Sequence, residues 1–136
     1  VMETENGSPL PAKFRSLAGA VFPLYHALAD VGEFAGGSVV PSLSSAPLKV
    51  EGLLLRKGRR TRILLANFTA EPQTVQVGCI DLSESVQVKY LDETNAELAM
   101  VSPQSFRAEA GQLVQLKEAE LELRPFALAR LDLEQK

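Results

Sequence analysis

The stretch LLLRKGRRTRILLANFT, residues 53–69, decides the fold of this chain of 136 residues. It contains two apolar runs, and the second of them, TRILLANFT, spans Thr61–Thr69. The polar segment Lys57-Gly58-Arg59-Arg60 separates the two runs. Two β-forming runs joined by a short polar segment with a glycine are typical of an antiparallel hairpin, here with a loop of about three to five residues.

Other runs, in which apolar and polar side chains alternate with a period of two residues, lie on both sides of this hairpin. They cover residues 48–50, 74–80, 86–90, 113–116, 119–123 and 126–133. Residues 92–111 interrupt the alternation, and we interpret them as a long functional or structural loop whose apolar residues are compatible with a short helical turn packed on a sheet. Turn-forming residues recur about every ten positions. The sequence therefore predicts a mainly β protein whose residues 48–136 form an antiparallel β-sandwich of about seven to eight strands.

Ahead of the sandwich, the apolar residues are spaced by three and four, which is the period of one helical face. Leu24, Leu28 and Val31 follow this spacing and predict one amphipathic helix, roughly from Phe22 to Phe34. No neighbouring segment of the sequence offers a cover for its apolar face. Residues 38–47 are rich in serine and proline, so an extended, unpaired linker is expected between this helix and the sandwich.

The composition excludes several classes of function. The net charge is −3 at pH 7, so the chain lacks the broad basic field of a nucleic-acid-binding protein. No apolar stretch has the length of a membrane helix. One cysteine and one histidine exclude an internal disulfide and a histidine-rich metal site, and we expect no cofactor. The chain opens with Val1, so a missing leader says nothing of the compartment, and the cytoplasm is the default expectation.

Few residues are candidates for chemistry. Glu3 and Glu5 share one face if their segment is extended, and paired carboxylates can act as acid, base or nucleophile on sugars. From spacing alone, two surface charges on a solvated terminus are the more common arrangement. His26 lies in the predicted helix, and we expect a structural residue satisfied by a backbone carbonyl or a neighbouring domain. The basic run over residues 56–62 is expected to be a solvated hairpin turn.

Five stretches resemble the C-terminal part of the D-apionate lactonase family. They are VMETE at 1–5, GSPLP at 7–11, VFPLYHALAD at 21–30, LANFT at 65–69 and LDETN at 91–95. The resemblance covers nearly the whole chain. It implies a much longer parent protein, with a glycosidase-like (β/α)8 barrel followed by a β-sandwich. Residues 1–37 would then be the end of the barrel, and the helix from Phe22 its last helix.

The same resemblance implies a position near an active site for the two N-terminal carboxylates. Chemistry in such barrels takes place on the loops at the C-terminal ends of the strands. Residues 1–19 would be the loop after the last barrel strand, so Glu3 and Glu5 would be candidate catalytic residues there. The remainder of the active site would lie outside this chain. The partner of the predicted helix would be the missing barrel domain of the same polypeptide.

The resemblance implies a non-catalytic accessory region of an enzyme that hydrolyses a sugar-acid lactone such as that of D-apionate. The alternatives are the C-terminal domain of a glycoside hydrolase and a free-standing carbohydrate-binding or protein-interaction sandwich. The exposure of Leu24, Leu28 and Val31 separates these interpretations. A free-standing module buries them within its own chain, whereas a barrel fragment leaves them exposed and prone to self-association.

Overall fold

The computed structural model describes residues 20–78, 85–115 and 120–134. Its helices are α1 (Leu24–Gly32), α2 (Ala96–Val101) and α3 (Pro103–Ala108). Its strands are β1 (Ser38–Val40), β2 (Val50–Lys57), β3 (Arg60–Asn67), β4 (Gln73–Gln76), β5 (Val86–Leu91), β6 (Gln112–Val114), β7 (Glu120–Leu123) and β8 (Leu128–Glu134). Within the described ranges, no helix combines the length and the hydrophobicity needed to span a membrane.

The central hairpin of β2 and β3 forms as predicted, but its loop is shorter. Lys57 pairs with Arg60, so the loop consists of Gly58 and Arg59 alone. Gly58 has a φ of +61°, a conformation that glycine adopts without steric cost. Two-residue loops of this mirror-image kind match the right-handed twist of the paired strands, which explains why the loop is tighter than the sequence predicted.

The strands form two antiparallel sheets. Six strands lie in the order β1-β2-β3-β8-β5-β6, and β4 pairs with β7 in a second sheet. The apolar core contains side chains of both sheets, and its fully or nearly buried members include Ile63, Leu65, Val88, Leu131, Leu121 and Leu123. The predicted fold class, an antiparallel β-sandwich of about seven to eight strands preceded by one helix, is confirmed.

The linker predicted over residues 38–47 is wrong for its first three residues. Ser38–Val40 forms β1, which pairs with β2 at the edge of the six-stranded sheet. The approach is close, because a Cβ built on Gly37 would lie 2.2 Å from the backbone oxygen of Arg56. A serine and two valines carry little periodicity, so the pairing follows from the free edge of β2 and not from the composition of the segment.

Three helices lie against the sheet face opposite the core. Helix α1 is shorter than predicted, with Pro23 at its N-cap position. The segment interpreted as a long loop, residues 92–111, instead contains the two short helices α2 and α3, which bury Ala99, Met100 and Phe106. On the strands beneath, Leu128, Arg130 and Asp132 alternate with the core residues of β8. This face therefore combines apolar and charged side chains, and α1 packs on the charged part.

Two of the quoted sequence stretches have structural roles at turns. Asn67 is 2% exposed, and its amide donates to the carbonyls of Glu71 at 2.7 Å and Arg124 at 3.0 Å. Its Oδ1 accepts from the backbone N–H of Thr69 at 2.9 Å. Asn95 in turn donates to the carbonyl of Tyr90 at the end of β5. These asparagines fix the chain where strands end, and they explain part of both stretches without a catalytic role.

Candidate functional site

Helix α1 is polar toward the sandwich and apolar toward the outside. Its two buried residues are His26 and Asp30. Leu24 is 54% exposed and Leu28 is 63% exposed, and Tyr25 and Val31 are also exposed. In an ordinary surface helix the apolar stripe faces the core. The inverted arrangement of α1 makes its outer face, defined here as Leu24, Tyr25, Leu28 and Val31, a candidate interaction site.

His26 is a structural residue, as the sequence predicted. Its Nε2 donates a hydrogen bond to the carbonyl of Ala99 at 2.7 Å, which joins α1 to α2. The ring meets Phe106 edge-on, with 4.6 Å between the ring centroids. Burial lowers the pKa of His26, and the charge of Arg107 lowers it further, although the bond to Ala99 and the charge of Asp30 oppose this shift. The imidazole is therefore neutral, with its proton on Nε2.

The space beside His26 does not form a substrate pocket. A cavity of about 30 Å³ lies there, and its walls include Leu64, Phe106 and Leu128. Such a volume is on the scale of one water molecule and is too small for a sugar lactone. The Nδ1 atom of His26 has no hydrogen-bond partner among the described residues. Among the described residues, Nδ1 thus has no hydrogen-bonded group with which it could form an acid–base pair.

Next to His26, three arginines and three carboxylates form a charge-balanced cluster between α1 and the sheet. Its members are Asp30 and Glu33 from α1 and its C-cap, Arg62 of β3, Arg107 of α3, and Arg130 and Asp132 of β8. We refer to these six residues as the ionic cluster. The sequence pattern does not predict this cluster, because it places Arg62 in a solvated turn. In the structure Arg62 is 3% exposed.

Arg62 is the central cation of the ionic cluster. Its Nε and Nη2 donate to the two carboxylate oxygens of Asp132 at 2.7 and 3.3 Å. Its Nη1 donates to Glu33 Oε1 at 2.7 Å and to the backbone oxygen of Asp30 at 2.8 Å. Its guanidinium carbon also lies 4.8 Å from the centroid of the Phe34 ring. Such paired, planar contacts are the strong form of a charged hydrogen bond.

Asp30 is the central anion of the cluster. Its Oδ1 accepts from Arg107 at 2.7 Å and from Arg130 at 2.9 Å. Arg107 also donates to Glu33 Oε1 at 2.7 Å. Burial would raise the pKa of Glu33, but the hydrogen bond and charge of Arg62, with the charges of Arg107 and Arg130, outweigh it and lower that pKa. Glu33 is thus held ionised in structural ion pairs with these arginines.

Lys89 extends the positive charge of the sheet face but serves α3. Its Nζ donates to the backbone oxygens of Phe106 and Glu109. It also lies 4.2 Å from the centroid of the Phe106 ring. Burial lowers the pKa of Lys89, and the charges of Arg130 and Arg107 add to this effect. The ammonium group stabilises the C-terminal carbonyls of a short helix, a position that favours cations.

A second concave feature lies between the two sheets. This groove has a volume of about 930 Å³, and its walls are formed by the β1–β2 loop, β2, β3 and the segment around β4. The volume is in the range of small-molecule sites. Glu51 is the one carboxylate among its lining residues, so the described part of the groove lacks the carboxylate pair that sugar hydrolysis uses.

The sequence-predicted candidates Glu3 and Glu5 lie outside the described residues, as does Cys79. In residues 20–78, 85–115 and 120–134, no group of histidine, cysteine, aspartate and glutamate side chains has the arrangement of a metal site. The described part of the chain thus offers an outward apolar helix face and a structural ionic cluster. Neither is an arrangement of nucleophile, base and oxyanion donors.

The fold and these surfaces define an immunoglobulin-like β-sandwich region with a preceding helix. A family model described as "D-apionate lactonase, C-terminal immunoglobulin-like domain" matches residues 47–131. The chain belongs to this family, which confirms the resemblance found in the sequence. No curated protein sequence matches the chain.

The solved structures that are similar to the chain include an endoxylanase and an exported protein. A GH30 endoxylanase from Clostridium papyrosolvens has 12% identity and a TM-score of 0.57, and the match covers 84% of this chain and 28% of the endoxylanase. A conserved exported protein from Bacteroides fragilis has 12% identity and a TM-score of 0.44 over 69% of this chain and 17% of that one. At this identity the endoxylanase match shows a shared fold alone. The chain spans less than a third of the endoxylanase's length.

Proposed function

We propose that this chain is a C-terminal accessory region of a sugar-lactone hydrolase and is not catalytic by itself. Membership of the D-apionate lactonase C-terminal family supports the parent activity. The observation that carries the accessory role is the outer face of α1, which exposes Leu24, Leu28 and Val31. Exposed apolar patches on an ordered element mark surfaces that bind a partner.

The proposed partner is the preceding part of the same polypeptide, a barrel domain. A free-standing module gains stability by burying helix leucines in its own core, at roughly 25 cal/mol per Å² of apolar surface. Helix α1 instead turns His26 and Asp30 inward. The leucines of α1 therefore contribute to stability through burial only when another surface covers them. This arrangement favours the accessory region over the free-standing binding module.

In the proposed parent, a water molecule attacks the lactone carbonyl with the help of a general base, and hydrogen-bond donors stabilise the oxyanion. Glu3 and Glu5 are the candidates from this chain for the base. The groups of the ionic cluster are excluded from that role, because Asp30 and Glu33 are already engaged by arginines. The rest of the machinery would belong to the barrel.

The first test is the length of the natural polypeptide, measured as the intact mass of the protein purified from its source. A mass several times 14.7 kDa, the mass of this chain, supports the accessory role. A mass near 14.7 kDa contradicts the accessory role and favours the free-standing module.

The second test is activity. The purified chain is expected to show no hydrolysis of D-apionate lactone above the uncatalysed rate, and measurable turnover would overturn the non-catalytic role. The full-length protein is expected to hydrolyse sugar-acid lactones. If it cleaves aryl glycosides and no lactone, the glycoside hydrolase alternative replaces the lactonase. Glu3→Gln and Glu5→Gln in that protein test the two carboxylates, with Glu97→Gln, at an exposed position of α2, as the control.

A further inference from the structure

Helix α1 and the segments on both sides of it are joined to the remainder of the described chain at four separate places. The backbone N–H of Val21 donates to the oxygen of Met100 at 3.0 Å. The His26 ring donates to Ala99. The ionic cluster follows, at the C-terminal end of α1, and β1 then pairs with β2. These contacts lie at both ends of the helix and in its middle, so they fix its direction as well as its position.

From these contacts we infer that α1 is an integral part of the immunoglobulin-like unit, which begins before residue 24 and presents the outer face of α1 in a fixed orientation. The family model begins only at residue 47. The endoxylanase match covers 84% of the chain, which is more than residues 47–136 contain, so part of the preceding segment has a counterpart in that fold. The partner of the outer face rests on the proposed function, whereas the integration of α1 does not.

The electrostatics of the sheet face require α1. Without the helix, the buried cation Arg62 and the partly buried Arg130 and Arg107 would face Asp132 as the only carboxylate of the ionic cluster. Buried charges are tolerated when they are paired, and removal of one partner from a buried pair is strongly destabilising. Asp30 and Glu33 supply the two missing negative charges at 2.7–2.9 Å. The sandwich therefore needs the acidic end of α1 to bring the cluster to neutrality.

The backbone of α1 takes part in the same contact. The last carbonyls of a helix have no partner within the helix and carry partial negative charge. Arg62 donates to the backbone oxygen of Asp30, and Arg107 donates to that of His26 at 3.2 Å. The arginines thus bind the helix through its carboxylates and through its main chain.

Hydrogen exchange on the intact chain tests the inference without any partner. If α1 belongs to the unit, its amides in the last two turns exchange with protection within about tenfold of the amides of β3 and β8, because they open in the same event. Protection that is smaller by three orders of magnitude or more would overturn the inference. The measurement needs no enzymatic activity, so its failure and the failure of the proposed function are distinguishable.

A pair of variants links the protection to the ionic cluster. The double variant Asp30→Asn with Glu33→Gln is expected to lower the protection of α1 on the order of 100-fold more than that of β3, because it leaves Asp132 as the only carboxylate of the ionic cluster for three arginines. Glu97→Gln removes one negative charge from an exposed position of α2 and is expected to change neither. Equal losses in α1 and β3 in the double variant also support an integral helix, whereas unchanged protection of α1 contradicts the role of the cluster. If the double variant does not fold, the comparison of α1 with β3 and β8 in the wild-type chain is the test of the inference.

Discussion

The Nε2 atom of His26 donates a hydrogen bond to the backbone oxygen of Ala99, 73 residues away in the chain, at 2.7 Å. This bond ties α1 to α2 through the one histidine of the protein. The bond forms with the neutral imidazole. Burial and the charges of Arg107 and Lys89 lower the pKa of His26, whereas the bond to Ala99 and the charge of Asp30 raise it. The protonation state of His26 is therefore coupled to folding.

The first prediction concerns pH. Because the pKa of His26 in the folded chain is lowered from 6.5, the unfolded chain binds the proton more tightly. The stabilisation is complete above the unfolded pKa of 6.5 and is lost as the pH falls below it toward the folded value. We expect the free energy of unfolding, measured with urea, to decline between pH 7.5 and 5.

His26→Gln is the control for this prediction. Its side-chain amide can still donate to Ala99, but it does not titrate. We expect the dependence on pH above about 5 to flatten in this variant, since the carboxylates titrate mainly below that range. An unchanged slope in His26→Gln would assign the effect to another group.

The second prediction concerns the close approach at β1. Gly37→Ala would place a methyl group 2.2 Å from the backbone oxygen of Arg56, so β1 must move away from β2. We expect the free energy of unfolding to fall by about 3 kcal/mol. The matched control is Gly32→Ala in α1, where the added Cβ meets nothing within 4 Å. Alanine favours the helix there, and a gain of about 0.5 kcal/mol is expected. Equal effects of the two substitutions would contradict the assignment of β1.

The third prediction concerns Asn67. In Asn67→Ala the carbonyls of Glu71 and Arg124 lose their buried donor, and we expect a loss of about 2–3 kcal/mol in urea unfolding. Asn67→Asp keeps the acceptor for Thr69 but sets a negative charge against those carbonyls, so it should be at least as destabilising at pH 7. Gln112→Ala, at an exposed position of β6, is expected to change the stability by less than about 0.5 kcal/mol. A neutral Asn67→Ala would show that the turn does not depend on this side chain.

The fourth prediction concerns the outer face of α1. The purified chain is expected to self-associate with rising concentration, because nothing in its described part covers Leu24 and Leu28. Leu24→Ser with Leu28→Ser should shift sedimentation velocity profiles toward the monomer without lowering the melting temperature appreciably. Leu113→Ser, at a position of β6 that is 72% exposed, is the control and should leave the association unchanged. If the helix variant and the control reduce the association equally, the association does not depend specifically on the outer face of α1.

The sandwich and α1 were predictable because their signal is local. Alternating side chains in residues 61–69 and the three- and four-residue spacing of Leu24, Leu28 and Val31 depend on the chain within one element. The outward direction of that apolar face also agrees with the expectation for a barrel fragment. These features need no knowledge of what packs on the opposite side of the sheet.

The ionic cluster was not predictable from pattern. Arg62 and Arg130 occupy the polar positions of alternating strands, which ordinarily face solvent. Arg62 is buried and Arg130 partly buried because α1 covers them. The helix and its C-cap bring Asp30 and Glu33 to them from 29 to 100 residues away along the chain. A clue was present in Asp30, a charged residue on the side of α1 opposite to its apolar stripe. The pairing itself emerges only from the tertiary structure.

Strand β1 also bears on how this chain behaves in a crowded solution. The neighbouring β2 carries three consecutive leucines, and a long apolar strand with an open edge is a template for intermolecular sheet growth. β1 occupies that edge along Arg56, Leu55 and Leu54. It is only three residues long, and Pro41 follows it directly, so β1 offers a poor template in its turn. The short strand thus protects the β2–β3 hairpin against amyloid-like addition of further chains.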